Sequence, residues 1–336
     1  MPPILNVIAM ATFAASLSAR ALDPLLPHIA DEFSVTIATA AGLSAGFAFT
    51  FAMMQPVLGA AADMFGKARL MLVCLVLLGL SNLLGAIATS YSLLFAARVL
   101  AGIAAGGIFP TAMGLVSDVV ASDKRQLGLG RTLAGAMAGN LLGASLSGVV
   151  GDLVGWRGVL IGLGITMMTA SAVVGIGFRR QGHVASPPPM SFATLRAGYR
   201  TIFANRNSWV CFPAVFLEGT AVFGLFPFVA AMLFDLGETR LSIAGLVIAG
   251  FAVGGLFYTF SVSRFLPVLG VRGMIIGGAG IAALMLVCLA AGPSWPVQFG
   301  VLLLMGWGFY MIHGSLQVFA SELTAEARAS AMALHS

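Results

Sequence analysis

Five side chains interrupt long apolar runs and could carry charge or protons: Arg20, Asp23, Arg98, Glu218 and His313. A guanidinium or carboxylate in hydrocarbon costs at least about 2.5–3.5 kcal/mol on insertion scales, so each should face a partner or a polar cavity. Arg20 and Asp23 are three residues apart and can pair across one helical turn. Glu218 lies about ten residues into its apolar run, a position that suits a proton carrier. His313 is a further candidate for carrying a proton, although a single His in such a run is also explained by structural hydrogen bonding. The chemistry these residues suggest is proton movement. Bond-breaking chemistry has little support. Gly42-Leu43-Ser44-Ala45-Gly46 spells a nucleophile elbow, but that device needs a strand–turn–helix, and here the pattern lies in an apolar helical run with no acid–base pair nearby. No metal-ligand cluster occurs, and no glycine-rich phosphate loop is followed by Lys-Ser or Lys-Thr, so no metal, cofactor or ATP-driven step is expected. Cys74, Cys211 and Cys288 are widely spaced within apolar runs and read as small core hydrophobes.

The elements that must hold these residues follow from composition. Of 336 residues, 59% are hydrophobic and 9% charged, and the mean hydropathy is +1.01. Soluble domains are nearer 45–50% apolar and about 25% charged, so this chain lacks the polar surface to cover a water-soluble globule. A bilayer core of about 30 Å needs about 20 apolar residues per helix. Ten candidate spans follow, at roughly 4–30, 38–61, 70–89, 92–117, 128–150, 158–178, 208–234, 242–263, 272–292 and 296–320. Period-two alternation, the mark of a membrane β-barrel, is missing. No Lys or Arg precedes the first run and many spans follow it, so it reads as a span and not as a cleaved leader.

With the N-terminus in the cytoplasm, the inside loops hold thirteen basic residues: Lys67, Arg69, Lys124, Arg125, Arg131, Arg179, Arg180, Arg196, Arg200, Arg206, Arg264, Arg272 and Arg328. The outside loops hold only Arg157 and Arg240. That asymmetry sets the orientation. The net charge of +5 is therefore a topology signal and not a nucleic-acid footprint. One inside connection is long. After Arg179-Arg180 and the run Pro187-Pro188-Pro189, the residues Phe192, Leu195, Tyr199, Ile202 and Phe203 fall at helical spacing opposite Arg196 and Arg200. This predicts an extended linker followed by an amphipathic helix on the membrane surface, with a plain solvated linker as the alternative. The chain then divides into an N-terminal six-helix bundle over 1–178, a cytoplasmic linker over 179–207 and an incomplete C-terminal bundle over 208–336.

The halves are related. Gly66 and Gly270, Gly102 and Gly306, and Asp118 and Glu322 each stand 204 positions apart. Tandem halves of six spans, with a site between them at the midplane, are the organisation of a secondary transporter. At the same offset a second half would end about 46 residues beyond Ser336, so a twelve-span protein lacking its last two spans is expected, with an eleventh beginning at Ser330-Ala331-Met332-Ala333-Leu334.

Three motifs carry a family resemblance. After the second span comes Gly59-Ala-Ala-Ala-Asp63-Met-Phe-Gly66-Lys67-Ala-Arg69. The fourth span begins Arg98-Val-Leu-Ala-Gly102-Ile-Ala-Ala-Gly106-Gly107. The fifth carries Gly130, Gly139, Gly143, Ala144, Ser147 and Gly148, which with Gly135, Gly151 and Gly155 make a small-residue stripe suited to close packing of two helix backbones. These resemble, in turn, the signature loop, the fourth-span arginine motif and the antiporter motif of the major facilitator superfamily, in its drug/metabolite:proton antiporter branch. The departures are Met64, where many members carry Arg, Ala144 in place of Pro, and Ser147 in place of Gly. Asp23-Pro24-Leu25-Leu26-Pro27 is similar to the branch's D-x-x-x-P segment.

The resemblance implies an all-α polytopic membrane protein built from two six-helix bundles. It implies that Gly59, Asp63, Gly66, Lys67 and Arg69 gate the cytoplasmic side. It further implies a part for Arg98 and Asp23 in proton coupling, to which the placement of Arg20, Glu218 and His313 within apolar runs adds the rest of a proton and substrate pathway, and that Gly130, Gly139, Gly143 and Gly148 favour antiport. The expected partners are a small-molecule substrate, protons and the lipid bilayer, with no nucleic acid. The expected state is a monomer in a bacterial inner membrane. Phe47, Phe49, Phe51, Phe223, Phe226, Phe228, Trp307 and Tyr310 are aromatic candidates for lining a cavity. A uniporter or proton symporter for a sugar or organic acid is the alternative within transporters, and a non-transporting membrane sensor or an intramembrane enzyme the alternative outside them.

Overall fold

In hydrocarbon, a backbone group with no partner costs several kcal/mol, and an apolar sequence without β alternation satisfies these groups within its own helices. The computed structural model describes residues 4–120, 125–180 and 192–323, together with Ala331 and Leu334. It is helical, and no strand occurs among the described residues. The helices are α1 (Ile4–Arg20), α2 (Leu26–Glu32), α3 (Ile37–Phe65), α4 (Lys67–Ala86), α5 (Tyr91–Val119), α6 (Arg125–Arg180), α7 (Phe192–Ala204), α8 (Ser208–Phe223), α9 (Phe226–Asp235), α10 (Leu241–Ala290) and α11 (Trp295–Glu322). A 3-10 turn, Asp23–Leu25, stands between α1 and α2. The Pro187–Pro189 run, Lys124, Arg328 and most of the 330–334 segment lie outside the described residues.

Among the described residues, eight helical stretches are long and apolar enough to cross a membrane. Two are far longer than one crossing needs. A helix of 56 residues, the length of α6, would run about 84 Å against a core of about 30 Å. Each of these long helices has one residue outside helical geometry: Gly155 in α6 (φ 71°, ψ 174°) and Gly270 in α10 (φ 65°, ψ 173°). Only glycine takes that conformation without a steric penalty, so each marks a break between two apolar segments. Gly66, at φ 91°, separates α3 from α4 in a similar way.

The first apolar run, expected as a span over roughly 4–30, and the seventh, over roughly 208–234, each correspond to one candidate crossing, Ile4–Glu32 and Ser208–Asp235. Within each, the helix is locally broken. Pro24 has no N–H to continue the ladder, and the chain turns through a 3-10 segment after Arg20 before α2 resumes with Pro27 near its start. In the seventh run, Gly224 and Leu225 separate α8 from α9, whose second residue is Pro227. Capping supports other starts: the Thr36 hydroxyl accepts from Thr39 N–H at 3.1 Å, and the Ser90 hydroxyl from Leu93 N–H at 3.3 Å.

The chain forms two compact units, one comprising Met1–Pro189 with Arg240–Gly245 and the other Met190–Thr239 with Leu246–Ser336. In the first, α6 runs along α1, α3 along α5, and α4 packs on both α5 and α6. The Arg240–Gly245 segment is tied in by Asp152, whose carboxylate accepts from Leu241 N–H at 2.8 Å and Ser242 N–H at 2.9 Å, capping the start of α10. In the second, α8 packs against α11 and α7.

The 204-residue offset reappears as contacts. A side chain at Gly102 would run into the Phe47 carbonyl, and one at Gly306 into the Phe251 carbonyl. Gly46 packs on Phe95, and Gly250 on Phe299. Every member of one pair stands 204 positions from its counterpart in the other, so the two units reuse the same helix-on-helix register.

Candidate functional site

Among the described residues Asp23 is the most deeply placed acid, with no exposed surface. The break at Pro24 sets it at the head of the 3-10 turn, where its carboxylate leaves the α1 backbone and meets α3. Ser44 Oγ donates to Asp23 Oδ1 at 2.6 Å. Arg20 Nη1 lies 3.5 Å from Oδ2, so the pair expected from spacing is present. Oδ2 itself has no hydrogen-bond partner.

Arg98 is buried on α5 at 2% exposure and does not reach an outer interface. Its guanidinium sits 4.3 Å from the centroid of the Phe47 ring, and Nη2 donates to the Ser18 carbonyl at 3.2 Å. Nε and Nη1 are buried without hydrogen-bond partners. Asn82 on α4 closes the group by donating to Ser18 Oγ at 3.2 Å. A break in the first span thus brings Arg20, Asp23, Ser44, Phe47 and Arg98 into one cluster within the first unit.

In the second unit Glu218 and His313 meet. Glu218 Oε1 and His313 Nδ1 are 2.6 Å apart, joining α8 to α11. The His313 ring stacks on Phe309, with centroids 5.1 Å apart and planes 16° apart. Around them Phe223, Phe226, Phe251, Phe309 and Tyr310 form a continuous aromatic cluster, with centroid separations of 5.0 Å for Phe226–Phe251 and 5.3 Å for Phe251–Phe309. Phe226, Phe251 and Phe309 are buried and pack the unit, whereas Phe49, grouped with the cavity candidates, is 66% exposed.

Other expected positions play different parts. Gly66 makes the turn, Arg69 is exposed, and Lys67 Nζ pairs with Asp118 Oδ2 at 2.8 Å, tying the loop to the end of α5. Asp63 falls on the last turn of α3, with its side chain outside the described residues. Gly59 was expected to permit a close helix approach. A methyl there would meet Pro110 at 3.5 Å, an ordinary contact, so the close approaches fall elsewhere. The α6 stripe does pack tightly. A side chain at Gly135, Gly139 or Gly143 would strike the carbonyls of Ala9, Phe13 and Leu17, which step along α1 four residues at a time. Gly148 closes in the same way on the Leu241 carbonyl, and the surroundings of Gly130 lie outside the described residues. Arg157, one of the two outside basic residues, pairs with Glu32 and donates to the Ala88 carbonyl at 3.0 Å.

Sequence reasoning did not anticipate Ser18, Asn82 or Asp118 as partners, nor Ser44 as a ligand of Asp23. Its one signal was a polar residue in an apolar run, which does not say what it faces. Among the described residues no group of three or more His, Cys, Asp or Glu could hold a metal ion.

A bundle of apolar helices with buried charge clusters, glycine-mediated backbone contacts and an in-register internal repeat defines a membrane transporter fold. Residues 8–336 match the Major Facilitator Superfamily, and the chain belongs to that family. Its eight long apolar stretches fit a multi-pass membrane protein of that family. It is 27% identical over 265 residues to a chloramphenicol resistance protein of Streptomyces lividans, covering 74% of this chain and 66% of that protein. It is 23% identical over 265 residues to multidrug resistance protein 1 of Bacillus subtilis, covering 78% and 66%. The chain thus spans just under two thirds of the length of these relatives. Among solved structures, a bacterial homologue of the human lysosomal transporter Spinster, inward-facing and unoccupied, superposes with a TM-score of 0.77 at 16% identity, covering all of this chain and 79% of that one. At that identity the likeness concerns the fold.

Proposed function

We propose that the protein exports a small amphipathic molecule in exchange for protons, by alternating access, from a bacterial inner membrane with its N-terminus in the cytoplasm. The breaks at Gly155 and Gly270 divide the two longest helices, so ten complete spans are proposed, arranged as an N-terminal bundle, a linker with α7 on the membrane surface, and a C-terminal group. The observation that carries the coupling is Asp23: a carboxylate with no exposed surface, held by Ser44 and faced by Arg20, inside a membrane span. A buried acid with one oxygen that faces a guanidinium but has no hydrogen bond is poised to exchange a proton, because its neutral and charged forms make different contacts with the same neighbours. Glu218 with His313 is a second exchange site in the other unit. Resistance to drugs in the names of two relatives supports export as the direction.

The test is transport by the full chain in proteoliposomes, using a panel of amphipathic drugs and a pH-sensitive dye, with and without a proton gradient. The expected result is gradient-driven substrate movement with opposite proton flux, which Asp23→Asn uncouples without loss of protein from the membrane. Gradient-independent transport that Asp23→Asn leaves unchanged would contradict the proposal.

A further inference from the structure

Ser44 is the polar residue of the Gly42–Gly46 segment, and the transport reading uses it only as a contact of Asp23. It lies on α3, 6% exposed, and its hydroxyl donates to Asp23 Oδ1 at 2.6 Å across two different elements. Three residues on, one helical turn away on the same helix, Phe47 offers its ring to the Arg98 guanidinium at 4.3 Å. One face of α3 therefore contacts the buried anion through a donor and the buried cation through a π face. The charged groups that act on Asp23 are Arg20, at the end of α1, and Arg98, on α5, while α6 packs on the same turn and adds none to that set. Arg98 is held by other contacts, to Ser18 and Phe47, while Arg20 faces Asp23 from one turn earlier in the chain. A serine hydroxyl donating to a carboxylate favours the charged form, and it does so more strongly where water is excluded.

We propose that Ser44 is a positioning residue for Asp23, orienting the carboxylate and setting the pH at which it takes up a proton. The proposal rests on the reading of Asp23 as a coupling acid. It adds that the proton affinity of this acid is controlled from α3, the helix that runs on to the Gly66 turn.

The test follows the protonation of Asp23 itself, without requiring transport. The full chain in lipid nanodiscs is titrated with pH by difference infrared spectroscopy, and the carboxyl band is assigned by its loss in Asp23→Asn. In Ser44→Ala the titration midpoint is expected to move to higher pH by about one unit or more, the scale of a lost charge-assisted hydrogen bond. Ser44→Thr retains the hydroxyl and should stay within about half a unit of the unaltered protein on the same scale. A Ser44→Ala midpoint within that half unit, or an Asp23 band that titrates in neither protein, overturns the assignment. Helical circular dichroism of each variant establishes that it is folded. If the midpoint shifts as expected while Asp23→Asn leaves the pH dependence of efflux unchanged, the Ser44 assignment stands and the role of Asp23 in coupling falls.

Discussion

Glu218 and His313 occupy facing turns of α8 and α11 at 2.6 Å, and Glu218 is only 8% exposed. A buried carboxylate with one hydrogen-bonded partner is expensive to strand, because removing the partner leaves an uncompensated polar group in an apolar setting. The two residues should therefore behave as one unit. His313→Ala and Glu218→Gln are each expected to lower the thermal unfolding midpoint in detergent and to flatten the pH dependence of efflux. The double variant should lose little more than the worse single one, with a coupling energy within about 0.5–3 kcal/mol. Additive losses would separate the two roles. Both residues were visible in the sequence as titratable groups within apolar runs. Their pairing was not, because they stand 95 positions apart and only helix packing brings them together.

At the scale of elements, glycine has two distinct uses here. In the α6 stripe it admits the α1 backbone, and a side chain at Gly139 has no space beside the Phe13 carbonyl. Gly139→Val should therefore cost about 1–3 kcal/mol of overpacking, since a backbone carbonyl cannot swing aside as a flexible side chain can. Gly59→Ala makes only an ordinary contact and should leave stability within about 0.5 kcal/mol. Fluorescence-detected thermal unfolding of the two variants measures the contrast, and equal losses would contradict it. The spacing of the stripe was legible in the sequence, because i,i+4 periodicity places residues on one helix face without reference to a partner. Which glycines meet a backbone was not legible, since Gly59 and Gly139 read alike until a neighbouring helix is present. The same limit hid the break at Asp23, because only the turn made there brings the carboxylate beside Ser44.

For the whole molecule, orientation rests on the thirteen-to-two distribution of basic loop residues and is open to direct measurement. With Cys74, Cys211 and Cys288 replaced by Ser, a cysteine at Arg69 should react with a membrane-impermeant maleimide only from the cytoplasmic side. One at Thr89 should react only from outside, both sites being exposed in the fold. Labelling of both from one side would overturn the topology. By itself, the sequence determined that the protein is helical and spans a membrane, and that two stretches repeat at an offset of 204. Each of these follows from local composition, or from comparing the chain with itself, because a lipid solvent leaves a long apolar segment few structures besides a helix. The i,i+3 spacing of Arg20 and Asp23 was enough to suggest that pair, but tertiary structure alone decided the other partners of the charges: Asp23 with Ser44, Arg98 with Ser18 and Phe47, Glu218 with His313, and Lys67 with Asp118. Those pairings depend on helix breaks and on the rotation of each helix about its axis, and both are set by side-chain packing between elements distant in the chain.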